Sequence, residues 1–379
     1  MRDTAEPGEA YLLYHSIGQY SGKATDLKRG MDAFCDSWAA CDDGQWGFVL
    51  GQRQRFIDLW RGIVNAPEDT MTTTENVTSG LASIIGALPD KYLKGKQVLV
   101  AEDCFPSLHF LLTGLAPRLG FTLRTVPLRQ GATWVEDEDF IDAWTPEVGL
   151  ALLTWVSSTS SHRCDLERLV AHGREMGSVI GTDITQAAGL LPYDVHAPEV
   201  DFTLSTSLKW MCGTPGAGVI YVSPRLIPEC HPDLRGWFSQ DNPFSWGLDA
   251  FEFATGIRRF DHGTPASVPA VASLPALEWY NRQDHAAILS HNRELSAILL
   301  DGFDDLNLRL ASPRDPDQRG GSLMVTLPDK LPGADVVSGL RDAGIHADSR
   351  SQTLRMSPGV VTTRAGVEQT LETLASITG

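Results

Sequence analysis

Cysteine is scarce in this chain, and its six copies lie scattered. Positions 35, 41, 104, 164, 212 and 230 form no CxxC pair and no cluster with histidine. That pattern excludes a disulfide framework and a zinc site, and it fits the reduced thiols of a cytoplasmic protein. The ten histidines show no HExxH spacing. His285 and His291, six apart, fall on different faces of a helix, so no metal is expected. Positive charge is short as well: 31 Lys and Arg against 48 Asp and Glu give a formal charge of −17. Such a balance argues against partners that are nucleic acid or anionic membrane. No apolar run reaches the length of a bilayer span. The opening MRDTAEPGEA lacks the apolar core of a secretory signal. Internal repeats and low-complexity linkers are absent too.

What is present is the composition of a soluble globular protein, 42% hydrophobic and 21% charged. The 379 residues suffice for one large and one small domain. Strands alternate with helices through the first two thirds. QVLVAED (97–103), FTLRTVPL (121–128), GLALLTWV (149–156), SVIGTDI (178–184), VDFTLST and GVIYVS read as strands. FPSLHFLLTGLAPRLG (105–120) and DLERLVAHGREMG (165–177) read as helices between them. This rhythm predicts an α/β fold with a mainly parallel sheet covered by helices on both sides. Ligands of such sheets bind beyond the carboxyl ends of the strands, where Asp103, Ser157 and Asp183 fall. The last third changes character. Residues 267–303 read as one long helix or two, followed by strand 320–328, helix 334–345, strand 352–358 and helix 364–377. That predicts a small α+β domain, with the boundary near Thr264–Pro269.

Two residues carry most of the chemistry. Lys209 lies between two apolar runs, in STSLKWMCGTPG, and Asp183 opens DITQAAGLLPYDV. A lysine out of water loses charge, and a neutral amine can form a Schiff base. An aspartate that keeps a pyridine nitrogen protonated is the other half of a pyridoxal phosphate site. Alone, the lysine reads as surface and the aspartate as a helix cap.

Several segments resemble the class V aminotransferase family of pyridoxal phosphate enzymes (fold type I), and within it the kynureninase branch. They are YLLYHSIGQYS (11–21), ENVTSG (75–80), DCFPSLHF (103–110), the Asp and Lys motifs, LRGWFS (234–239), RRFDHGTPAS (258–267) and DSRSQTLRMSP (348–358). The resemblance implies a seven-stranded, mainly parallel sheet sandwiched by helices. It implies an N-terminal arm (1–22) on the small domain, a large cofactor-binding domain (23–265) and a small C-terminal domain (266–379). It also implies a homodimer with shared active sites.

For the site, the resemblance places the cofactor phosphate on Val77 and Thr78, at a helix start where free amides favour an anion. Thr206 becomes a second phosphate ligand, and Trp237 and Thr264 reach the phosphate, across a dimer interface. Phe105 stacks on the cofactor ring, Asp183 holds its nitrogen, Gln186 bonds its oxygen, and Lys209 is Schiff-base lysine and proton shuttle. Arg355 takes the substrate carboxylate, since its planar fork suits bidentate binding. His15, Ser16 and Trp46 stand at the substrate entrance. Asp348 and Arg350 read as a structural ion pair. Two positions depart from the branch: Leu108 replaces an aspartate and Leu208 a tyrosine, which predicts a more apolar pocket.

These readings imply an enzyme acting on an amino acid, with hydrolytic Cβ–Cγ cleavage of a kynurenine-like substrate placed first. A class V aminotransferase, or another lyase or epimerase of a specialised pathway, is the alternative. A non-catalytic cofactor-binding protein is the alternative of another kind. A desulfurase would need a cysteine on a late loop, and the last one is Cys230.

Overall fold

The computed structural model describes residues 8–378; residues 1–7 of the expected arm, and Gly379, lie outside the described residues. The strands are β1 (Met71–Thr74), β2 (Gln97–Ala101), β3 (Thr122–Val126), β4 (Val148–Thr154), β5 (Val179–Asp183), β6 (Phe202–Thr206), β7 (Gly218–Val222), β8 (Arg309–Leu310), β9 (Leu323–Thr326), β10 (Asp348–Arg350) and β11 (Thr353–Met356). The α-helices are α1 (Lys23–Trp38), α2 (Gln45–Val64), α3 (Val77–Ile85), α4 (Asp90–Leu93), α5 (Pro106–Leu119), α6 (Asp137–Ala143), α7 (Leu166–Met176), α8 (Ser267–Asn281), α9 (His285–Asp305), α10 (Gly333–Asp342) and α11 (Arg364–Thr378).

Seven strands form the large sheet in the order β1-β7-β6-β5-β4-β2-β3. Only β7 runs against its neighbours; the other pairings are parallel. This is the doubly covered α/β sheet that the continuous apolar strands foretold. Alternation within each strand separates two cores. Leu99, Ala151 and Leu153 face Phe56, Trp60 and Trp144 on one side. Val98, Leu150 and Leu152 face Leu81, Leu112 and Phe202 on the other.

Helix boundaries follow local chemistry. Pro106 starts α5 at a position whose amide would be unpaired anyway. Asp165 caps α7 by accepting the Arg168 amide at 3.1 Å, and Gly177 ends it at φ 75°. The long apolar stretch after Pro265 divides into two helices, because Asp284 caps the second through the Ala287 amide. The first of these, α8, sends Ala270, Leu274 and Leu277 into the large-sheet core. The second, α9, sends Leu295, Leu299 and Phe303 into a third core under the antiparallel sheet β10-β11-β9-β8.

The N-terminal segment ties these parts together. The Leu12 amide donates to His346 O and the Ser357 amide to Leu12 O, both at 2.8 Å. A few residues on, Gly18 lies against the backbone after β6, where a Cβ would stand 1.8 Å from the Lys209 carbonyl oxygen. Only glycine permits that approach.

Candidate active site

A cavity of about 350 Å³ opens beyond the carboxyl ends of β4, β5 and β6. Seven of the residues singled out from the sequence line it: Val77, Thr78, Phe105, Asp183, Gln186, Thr206 and Lys209. So do Thr154, Val156, Ser158, Thr185 and Leu208, most of which carried no motif.

Asp183 ends β5 and is 6% exposed. Its Oδ1 accepts the Thr185 amide at 2.9 Å. Burial pushes its carboxyl above the usual range, and Lys209 opposes this only weakly. Lys209 follows β6 on the loop that Gly18 supports, with its Nζ 5.7 Å from the centre of the Phe105 ring. Desolvation brings its amine down to about 8, although Asp183 pulls the other way. Among the described residues no carboxylate lies within ion-pair distance of Lys209. An acid held above its normal pKa thus faces an amine held below its own.

Around this pair, buried polar atoms lack partners. Thr206 Oγ1, Gln186 Oε1 and Thr154 Oγ1 make no hydrogen bond among the described residues. Unpaired buried groups cost on the order of 1–3 kcal/mol each, so their gathering in one cavity calls for a ligand. At the cavity mouth, Asn76 and Ser79 cap α3 reciprocally, at 2.9 and 3.1 Å. This capping box uses the amides of Asn76 and Ser79 and spares those of Val77 and Thr78 for an anion. A phosphorylated pyridine aldehyde fits this set: free amides and a hydroxyl for the phosphate, a buried acid for the ring nitrogen, an aromatic face, and a neutral amine.

Arg355 stands behind the wall, 7% exposed, and its Nη1 donates to the Ser158 carbonyl at 3.3 Å. Its Nε and Nη2 donate to the two oxygens of Asp348 at 2.8 and 2.6 Å. Asp348 does pair with Arg350, as expected, but its shorter and doubly bonded partner is Arg355. Register places Asp348 directly opposite Arg355 across β10 and β11, while Arg350 stays exposed at 3.7 Å. His15 is buried, with Nε2 2.9 Å from Asp348 and Nδ1 2.6 Å from Ser357 Oγ. Its carbonyl accepts Gln186 Nε2 at 3.1 Å.

Other expected residues lie elsewhere. Ser16 closes a turn onto Leu13. Trp46 is exposed at the start of α2, edge-on to Trp38 at 5.6 Å, and does not reach the cavity. Trp237 packs edge-on against Phe238. Thr264 is exposed, beside a groove of about 620 Å³ lined by Gly263 and Pro265. That groove shares Glu75 and Gly216 with the cavity. Asp103 and Ser157 sit behind the cavity, around a void of about 30 Å³. Leu108 is fully buried in the core, so of the two departures only Leu208 touches the cavity. Cys212 and Cys230 are buried, and burial pushes both thiols up to about 12.

The family model described as aminotransferase class V matches residues 58–371. The kynureninase of Deinococcus radiodurans is 27% identical over 337 residues, covering 81% of this chain and 77% of that one. The kynureninase of Pseudomonas fluorescens is 26% identical over 361 residues, covering 90% and 82%. In shape, the chain resembles the apo cysteine desulfurase of Thermococcus onnurineus NA1, with a TM-score of 0.85 at 19% identity and coverage of 97% and 94%. It also resembles a C-DES mutant carrying glycine linked to its PLP cofactor, with a TM-score of 0.86 at 20% identity and coverage of 98% and 97%.

Proposed function

Because the chain belongs to the class V aminotransferase family, and so is a pyridoxal-phosphate-dependent enzyme, we propose that it cleaves the Cβ–Cγ bond of a kynurenine-like amino acid by hydrolysis. When bound, the cofactor supplies an electron sink conjugated to the substrate α-carbon.

The remaining roles belong to the protein. Val77 and Thr78 amides and the Thr206 hydroxyl bind the phosphate. Asp183 keeps a proton on the ring nitrogen; a cation there offsets the burial that otherwise raises this carboxyl. Phe105 covers the ring, and Gln186, whose amide nitrogen gives one proton to the His15 carbonyl, has a second N–H to donate to the ring's oxygen substituent. Lys209, whose amine burial brings down to about 8, would hold the cofactor through its aldehyde carbon. The same amine would move the α-proton of the substrate. Arg355 anchors the substrate carboxylate from behind Ser158. In the cleavage, water adds its hydroxyl to the acyl carbon and a proton to Cβ.

The single observation behind the hydrolytic reading is likeness to kynureninases over most of the chain. The buried, high-pKa thiols speak against a cysteine nucleophile. The apolar Leu208 beside the lysine is the feature that favours a class V aminotransferase or another lyase as second reading. A homodimer belongs to the proposal: Phe244, Trp246 and Leu248 are 74, 79 and 98% exposed, more apolar surface than one short segment normally shows to water. In that dimer, Trp237 and Thr264 would serve the neighbouring site through the groove. Incubation with L-kynurenine, with Lys209→Ala as control, tests the reaction. Anthranilate fluorescence from the native protein alone is expected; its absence, while amino acids still perturb the cofactor absorbance, rejects kynurenine cleavage and leaves the second reading.

A further inference from the structure

An open ring of contacts runs from Gln186 to Ser158, both on the cavity wall. Gln186 donates to the His15 carbonyl at 3.1 Å, and the His15 ring meets Ser357 and Asp348. Asp348 holds Arg355, and Arg355 reaches the carbonyl of Ser158, again on the cavity wall. The ring joins the N-terminal segment, the small sheet and the large sheet at one guanidinium.

We propose that His15 is a positioning residue: wedged between Ser357 and Asp348, it fixes the carboxylate that aims Arg355 at the substrate carboxylate. The inference rests on Arg355 as the carboxylate anchor. Arg355 has five N–H donors. Asp348 takes two of them and Ser158 one, which leaves one on each terminal nitrogen uncommitted among the described residues. Arg259, by contrast, is filled by four carbonyl oxygens. The terminal edge can grip a carboxylate end-on only while the other edge is held.

His15 is suited to the holding. Burial brings its ring down to about 4, against the pull of Asp348, so it is neutral near pH 7. A neutral ring beside an acceptor-only carboxylate donates from Nε2, and its Nδ1 lies 2.6 Å from the Ser357 hydroxyl, which also meets Ser322 Oγ at 2.7 Å. Its place is fixed by the backbone, because Leu13 bridges to Ser357 two residues earlier. Replacing a neutral ring leaves the charge of the site unchanged, which separates orientation from Coulomb attraction.

The test uses the cofactor-loaded protein and two probes: L-phenylalanine and 2-phenylethylamine, which is the same skeleton without its carboxylate. Dissociation constants are read from the cofactor absorbance. For His15→Leu, binding of L-phenylalanine is expected to weaken about tenfold, the worth of one charge-assisted hydrogen bond, with 2-phenylethylamine unchanged. His15→Gln, which restores a donor toward Asp348, is expected to recover most of the loss. Ser357→Ala provides a second variant should His15→Leu not fold, with a smaller shift in the same direction. Equal weakening of both probes, or none in any of these variants, overturns the inference. Arg355→Lys tells that failure from one of the underlying reading: if it too leaves the preference for the carboxylate-bearing probe intact, Arg355 is not the anchor.

Discussion

Two regions of this molecule bury charge, and they treat it in opposite ways. Around Asp261 every charge is answered. Arg53 donates to its two oxygens at 2.8 and 3.3 Å, and Thr72 adds a bond at 2.6 Å. Two residues earlier, Arg259 gives its protons to the carbonyls of Ile227, Cys230, Ala254 and Thr255. In the cavity, Asp183 is as buried and Lys209 is half-buried, both without an ion partner among the described residues, near hydroxyl and amide oxygens that lack a hydrogen-bond partner there. In the cavity the unpaired atoms gather round two unpaired charges, where a ligand can complete them. The contrast also assigns the arginines of RRFDHGTP to the scaffold, although that segment resembles a family signature.

The comparison is broken most forcefully at the amine. Lys209→Ala is expected to lower turnover of the substrate by about a hundredfold to ten-thousandfold, the usual worth of a positioned proton-transfer group. The melting temperature should not fall, because no ion pair is lost and a desolvated charge is removed. A steady-state assay with a thermal melt checks both; a large fall in stability would place Lys209 with the scaffold.

Asp261→Ala should do the reverse. It strands Arg53, whose side chain is 9% exposed, without its carboxylate. The expected cost is about 3–5 kcal/mol of folding stability, read from the denaturant midpoint. Protein that remains folded should bind cofactor normally.

Thr206→Val probes the open side of the contrast more gently. Valine keeps the shape and removes a hydroxyl that has no partner in the protein. Stability of the cofactor-free protein should hold or rise slightly. Cofactor affinity should fall about tenfold, the worth of one bond to a charged oxygen, measured by absorbance titration. Unchanged affinity would remove Thr206 from the phosphate site.

The same contrast explains what the sequence could reveal. The strands β2, β4 and β5 were legible because burial on both faces leaves an apolar run. β1 was not, since Met71–Thr74 carries three threonines and pairs at the sheet edge. α1 buries no residue fully, so its periodicity carries little signal. α2 could have been read: Val49, Arg53, Phe56, Ile57, Trp60 and Val64 mark one helical face. In the site, residues borne on strand ends and helix starts came together, because motif and position coincide there. Trp46 did not, because composition cannot say which aromatic packs where. The partner of Arg355 was missed because register, set by the β10–β11 turn, decides it rather than distance along the chain.

The pH dependence of stability is the most direct reading of an unanswered charge. The folded protein holds Lys209 near 8, against about 10.5 for the exposed amine. Between these values the unfolded chain binds more protons than the folded one, so stability rises with pH. The contribution is complete above about 10.5 and disappears as pH falls through about 8. Asp183 has the opposite sign. Its raised carboxyl contributes stability at low pH, which is lost as pH rises past the ordinary carboxylate range into its folded value. Lys209 should therefore contribute an alkaline rise between about 8 and 10.5, read as the difference between the pH profiles of cofactor-free native protein and Lys209→Met, because buried thiols such as Cys212 and Cys230, raised to about 12, lower stability over the upper part of that range in both. Asp183→Asn should alter the acid limb and, by removing the carboxylate that pulls Lys209 upward, widen the alkaline rise. If Lys209→Met leaves the alkaline rise unchanged, the lysine is solvated rather than dry, and the line drawn between scaffold charge and working charge fails at its most important residue.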